Sequence, residues 1–131
     1  MSWVALVAWL LTAFGGLALC TQWVSRGGPK DERGIGTVRL AAHAMLAVGG
    51  LVLWIVYTLG DDDVFAWLAI AALAVVIAIG FWMFTSWFRG RSPRDARTEL
   101  AAETAFPVPL VLGHGLLAAT TFVLALVAAL L

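Results

Sequence analysis

Residues 43–82 read HAMLAVGGLVLWIVYTLGDDDVFAWLAIAALAVVIAIGFW. Two apolar runs are parted only by Gly60-Asp61-Asp62-Asp63. Each run, with its flanks, reaches the roughly 20 residues that a helix needs to cross a bilayer. A link this short permits nothing but a tight turn. The stretch therefore predicts two antiparallel spanning helices. Working outward, two further apolar runs lie at the chain ends, giving spans at about 3–23, 38–59, 64–88 and 109–131. The expected fold is all-α, an integral membrane up-down four-helix bundle forming a single transmembrane domain.

Composition supports this reading. Of 131 residues, 63% are hydrophobic and 12% charged, and mean hydropathy is +0.98. A soluble domain carries more polar surface. The four spans leave no length for a second folded domain. The single cysteine, Cys20, excludes an intramolecular disulfide. Leu17-Ala18-Leu19-Cys20 is a poor lipoprotein cleavage site, because Leu19 is bulky and no basic residue precedes the apolar run. The first run is therefore kept as a span, with Cys20 a small apolar residue on it.

The charges set an orientation. Arg26, Lys30, Arg33 and Arg39 fall in or beside the first long link, and Arg89, Arg91, Arg94 and Arg97 in or beside the second. The Asp61–Asp63 turn carries no base. Loops rich in Lys and Arg remain in the cytoplasm. The expectation is a multi-pass protein of a bacterial cytoplasmic membrane with both termini outside. Trp23 and Trp87 would mark the inner headgroup level, and Trp3, Trp54, Trp67 and Tyr57 the outer one. Trp9 and Trp82 read as lipid-facing bulk. Ser92-Pro93-Arg94-Asp95 has the form of a helix start, predicting a short surface helix over 93–104. Pro107 and Pro109 open the fourth span, where a missing N–H costs least.

The chain also repeats itself. Thr21-Gln22-Trp23 near the end of the first span matches Thr85-Ser86-Trp87 near the end of the third. His43-Ala44-Met45-Leu46-Ala47 matches His114-Gly115-Leu116-Leu117-Ala118. This pattern predicts two pseudo-repeated helical hairpins of like orientation, related by an axis along the membrane normal.

His43 and His114 are the only histidines. Both fall about 6–8 Å inside the cytoplasmic interface, on parallel and diagonal spans. Ala47 and Gly50 follow His43 at one and two turns, as Ala118 and Thr121 follow His114; Gly113 and Gly115 flank His114. Small residues there suggest a slot for a flat macrocycle. The pattern suits one haem b with His43 and His114 as axial metal ligands. Arg39 stands one turn from His43 to meet a propionate, with Arg26, Arg89 and Arg97 as further candidates. Thr21 and Thr85, near the histidine depth, are expected to support the imidazoles or propionates; the bland alternative is bonding to their own helix. In place of haem, the histidines would bond between helices and the small residues would serve close packing.

Two histidines without a neighbouring carboxylate or second cysteine do not fill a mononuclear metal shell. No nucleophile–base pair, phosphate loop or nucleic-acid-binding stretch is present, and Asp61–Asp63 reads as a solvated turn. The partners expected are the lipid bilayer and a quinone or membrane oxidoreductase; a homo-oligomer is a further option. The other class is a non-catalytic membrane interaction or accessory subunit whose basic loops bind anionic lipid or a partner.

The runs HAMLAVGGLVLWIVY (43–57) and FPVPLVLGHGLLAATT (106–121) resemble a group of small, uncharacterised four-helix membrane proteins of actinobacteria. That resemblance covers most of the chain and implies architecture without activity. The architecture is also similar to transmembrane b-type cytochromes, which hold haem between histidines of a bundle. Diheme members use two histidine pairs; this chain has one, so transmembrane electron transfer by it alone is not implied.

The orientation is directly testable. In a Cys20→Ala background, Asp62→Cys should react with an impermeant thiol reagent in intact cells and Ser92→Cys should not. The opposite labelling pattern would invert the topology.

Overall fold

The computed structural model describes residues 1–31, 34–91 and 101–131. Four long helices make up the bundle: α1 (Ser2–Ser25), α2 (Thr37–Gly60), α3 (Asp63–Gly90) and α4 (Val108–Leu130). Each is long and apolar enough to cross a membrane by length and composition. Short 3₁₀ turns at Gly28–Lys30 and Ala102–Ala105 interrupt the two long links. Most of the expected 93–104 surface helix lies outside the described residues. Its described end is the Ala102–Ala105 turn.

Local chemistry sets the helix ends. The chain leaves α1 through Arg26 and then Gly27 at φ 81°, a left-handed position that glycine takes without strain. Between α2 and α3, Asp61 adopts φ 56° and its N–H bonds the Tyr57 carbonyl. Aspartate tolerates this conformation better than most residues. The next residue, Asp62, accepts the Val64 N–H at 3.0 Å and caps α3. Two successive aspartates thus close one helix and open the next. Pro107 precedes α4 and Pro109 lies in its first turn, as the sequence implied.

Around the bundle the helices follow the order α1, α2, α3, α4. The most extensive packing joins α2 to α3 and α1 to α4, with lighter contact between α1 and α2 and between α3 and α4. The heavy and light contacts thus exchange with their own kind when α1 is swapped for α3 and α2 for α4.

One core fills the end of the bundle that holds the chain termini and the Asp61–Asp63 turn. It is built on Trp9, Trp54, Tyr57, Ile70, Leu73 and Val76. Trp9 and Trp54 pack with ring centroids 6.2 Å apart, and the Trp54 indole donates to the Ser2 carbonyl at 3.1 Å. Tyr57 donates to the Ala128 carbonyl at 3.3 Å. These residues depart from the sequence expectation. Trp54 and Tyr57 are not an interfacial belt, and Trp9 is not lipid-facing; all three are interior. A second cluster at the loop end joins Trp23, Trp87, Ile35, Ala102 and Phe106, so Trp23 and Trp87 are interior as well. Trp3, Trp67 and Trp82 face outward.

Large apolar side chains such as Phe14, Leu17, Val48, Phe81 and Leu116 are more than half exposed. Water does not tolerate a continuous apolar surface of this kind, which is compatible with insertion in a membrane.

Gly50 is a tight point of the packing. A Cβ there would lie 3.0 Å from the Trp9 ring and 3.3 Å from Ala72 Cβ. Gly50→Leu should overpack this contact and destabilise the bundle by about 1–3 kcal/mol. Unfolding of the detergent-solubilised protein, compared with Gly49→Leu, measures it; Gly49 meets nothing within 4 Å. Equal stability of the two variants would contradict the packing described.

Candidate functional site

Between the two clusters lies a polar layer made by all four helices. His43 on α2 and His114 on α4 meet across the bundle diagonal with ring centroids 6.3 Å apart and planes at 64°. Both are partly buried. The expectation that they share one depth on diagonal helices agrees with this placement.

Each imidazole is held by the helix beside it. His43 Nδ1 lies 3.1 Å from the Val76 carbonyl on α3. His114 Nδ1 lies 3.0 Å from the Thr12 carbonyl on α1. A carbonyl oxygen only accepts, so each Nδ1 donates its proton. In a neutral ring this leaves the lone pair on Nε2. No hydrogen bond to either Nε2 is found among the described residues. The two holds are twofold equivalents, one α2-to-α3 and the other α4-to-α1.

Glycines make room for the rings. A Cβ on Gly16 of α1 would lie 3.1 Å from His114 Cε1, and one on Gly80 of α3 would lie 3.1 Å from His43 Cε1. Gly15 also borders His114, at 3.5 Å from Nδ1. Thr12 and Val76, Gly16 and Gly80, Thr21 and Thr85, and Trp23 and Trp87 all share one sequence offset. Reading outward from Thr-x-Trp with that offset would have found the glycines and carbonyls. Side-chain chemistry alone does not mark them, because the support comes from backbone carbonyls and from missing side chains.

Other expected site residues fall elsewhere. Thr21 donates to the Ala18 carbonyl at 2.9 Å and Thr85 to the Trp82 carbonyl at 2.7 Å, so both bond their own helices rather than the imidazoles. Hydroxyls in apolar helices are commonly satisfied this way. The Arg39 guanidinium lies over the Trp82 ring, 4.3 Å from its centroid. Trp9 covers Gly50. Thr121 is fully buried, donates to the Leu117 carbonyl at 2.8 Å, and lies 3.0 Å from the Thr12 hydroxyl. Ala47 is partly buried against the core containing Trp9 and Trp54. Ala118 is partly buried. Gly113 and Gly115 border nothing within 4 Å of a built Cβ. Among the further arginines, Arg26 donates to Gln22 and to the Ala105 carbonyl, each at 3.1 Å, while Arg97 lies outside the described residues.

Among the described residues, no group of three or more His, Cys, Asp or Glu is placed to hold a metal ion. A protein-only metal shell is therefore not formed there. A macrocycle that brings its own equatorial donors needs only two axial ligands from the protein.

No family model, no curated protein and no solved structure matches this chain. Of the resemblances drawn from the sequence, the four-helix architecture is the part the structure supports.

The tight approach at Gly80 gives a local test. Gly80→Val should displace the His43 ring and weaken its bond to Val76, whereas Gly115→Val on the unpartnered face of α4 should not. The imidazole nitrogen chemical shifts of His43 in each variant report this. An unshifted His43 signal in Gly80→Val would place the ring elsewhere.

Proposed function

We propose that the protein is a membrane-embedded b-type cytochrome that binds one haem between His43 and His114, on the cytoplasmic side of the bilayer. The observation that carries this reading is the facing histidine pair with both Nδ1 atoms engaged. An atom bound linearly by two imidazole nitrogens, at about 2 Å from each, requires ring centroids about 6 Å apart. The rings here are 6.3 Å apart. A ligating histidine is normally oriented through its other ring N–H, and the Val76 and Thr12 carbonyls provide that hold. Gly16 and Gly80 let the two rings lie close against the helices that carry no ligand.

With both axial positions filled by protein, the iron has no open site for oxygen or substrate. Electron transfer or haem binding follows, with a quinone or a membrane oxidoreductase completing any redox reaction. The sequence holds two histidines, so one bis-histidine haem is the limit. The chain by itself does not step electrons across a membrane. The cytoplasmic location follows from the Arg- and Lys-rich links at this end.

The second reading is a non-catalytic membrane interaction or accessory subunit. It draws on the same hydrogen bonds, since each histidine already ties two helices together without a ligand. Interhelical bonds of this kind contribute about 0.6–2 kcal/mol each.

A visible spectrum separates the two. Purified from cells supplied with haem, the protein should be red, with a Soret band and a sharp alpha region on reduction. His43→Ala and His114→Ala should each abolish the six-coordinate low-spin spectrum. A colourless protein that also fails to take up haem in reconstitution leaves the second reading.

A further inference from the structure

The two halves of the bundle match at the histidines but differ at the loop end. Between α3 and α4 a groove of about 390 Å³ opens there, lined by Phe84, Trp87, Phe88 and Arg91 of α3 and by Val108 and Leu112 of α4. The offset that pairs Trp87 with Trp23 pairs Phe84, Phe88 and Arg91 with Cys20, Val24 and Gly27. The aromatic wall and the cation therefore have no counterpart on α1. They are not a by-product of the twofold arrangement.

The wall is a run of rings. The Phe84 centroid lies 6.2 Å from that of Phe88 and 5.5 Å from that of Trp87. Trp87 is buried, while Phe88 is 66% exposed and Leu112 52%. The groove thus opens outward, onto the apolar surface of the bundle. From Phe84 to Arg91 it follows α3 for about 10 Å.

Charge stands at one end of it only. Arg91 caps α3 at the loop end, and its guanidinium is held there by two contacts. One N–H donates to the Thr104 carbonyl at 3.1 Å, and the group lies 5.2 Å from the centre of the Trp87 ring. Both partners are neutral, so neither compensates the charge. A guanidinium has five N–H donors, and the Thr104 bond leaves most of them for a ligand. Val108, the first residue of α4, lines the same mouth, where the helix end adds partial positive charge.

We infer that the α3–α4 groove binds an anionic phospholipid of the cytoplasmic leaflet, its phosphate paired with Arg91 and one acyl chain laid along Phe84, Phe88 and Leu112. This rests on the membrane insertion and orientation given above, not on the haem. An apolar trough headed by an uncompensated cation at headgroup level is complementary to an amphiphile with a negative head. Guanidinium and phosphate meet through parallel N–H bonds. A quinone would bring a neutral head to this cation, and a zwitterionic lipid would bring a second cation beside it.

Native mass spectrometry of the detergent-purified protein reads the first lipid bound, with palmitoyl-oleoyl phosphatidylglycerol and phosphatidylcholine as equimolar competitors. The wild type should take phosphatidylglycerol preferentially. Arg91→Gln should reduce that preference about fivefold, the worth of one basic side chain at an anionic surface. Lys30→Gln removes an exposed charge from the other link and should leave the preference unchanged. Leu112→Trp fills the groove and should lower the binding of both lipids. A preference that survives Arg91→Gln, or that falls equally in Lys30→Gln, assigns the effect to the overall charge of the loop end and overturns the inference. So does a Leu112→Trp protein that binds both lipids as the wild type does, because the lipid then sits elsewhere. None of these outcomes depends on the protein being red, so a failure here and a failure of the haem reading are told apart.

Discussion

An imidazole placed among apolar helices has to find an acceptor for its N–H, because neither lipid nor an aliphatic core offers one. Here both histidines find it in a backbone carbonyl of the adjacent helix, His43 in Val76 and His114 in Thr12. Those carbonyls already serve their own helices, and a carbonyl has a second lone pair to give. The bond therefore costs the accepting helix nothing in its own ladder. It fixes the rotation of α2 against α3 and of α4 against α1, and it aligns the two rings across the diagonal. The glycines at 16 and 80 follow from this requirement, since a side chain there would crowd the rings.

The twofold relation gives these local facts a common form. Each half contributes one histidine, one accepting carbonyl, one glycine beside the partner ring and one buried tryptophan at the loop end. The heavy contacts run between halves, α2 with α3 and α1 with α4. The short sequence matches, in contrast, pair α1 and α2 with α3 and α4. Neither half buries its own imidazole contact. The site belongs to the junction of the two.

Much of the architecture was legible in the sequence because four apolar runs of membrane-crossing length impose four long helices, and the Asp61–Asp63 turn imposes antiparallel pairing. The histidine layer was legible because two identical polar residues recur in matched apolar settings. What escaped was rotation about the helix axes. Sequence position marks Trp54 as interfacial and Trp9 as lipid-facing, yet both are buried. The hydrophobic periodicity that marks an inward face in soluble helices is erased when lipid lies outside. For the same reason depth alone sets Thr21 and Thr85 near the imidazoles, while their hydroxyls bond their own helices, as the alternative reading of these threonines had it. Depth can be counted along a sequence; azimuth needs the packed structure.

The closure of the bundle also orders its assembly. The α2–α3 hairpin joins neighbours across a turn of a few residues, and it can set the His43–Val76 bond as soon as three spans are in place. The α1–α4 contact joins helices separated by the whole α2–α3 hairpin. His114 reaches the Thr12 carbonyl only after α4 has been made and has packed against α1. Until then a nascent chain presents one fixed imidazole and no counterpart. The pair of rings thus marks a bundle with all four helices in place: a product that stops before α4 cannot display it, whatever its earlier helices have done.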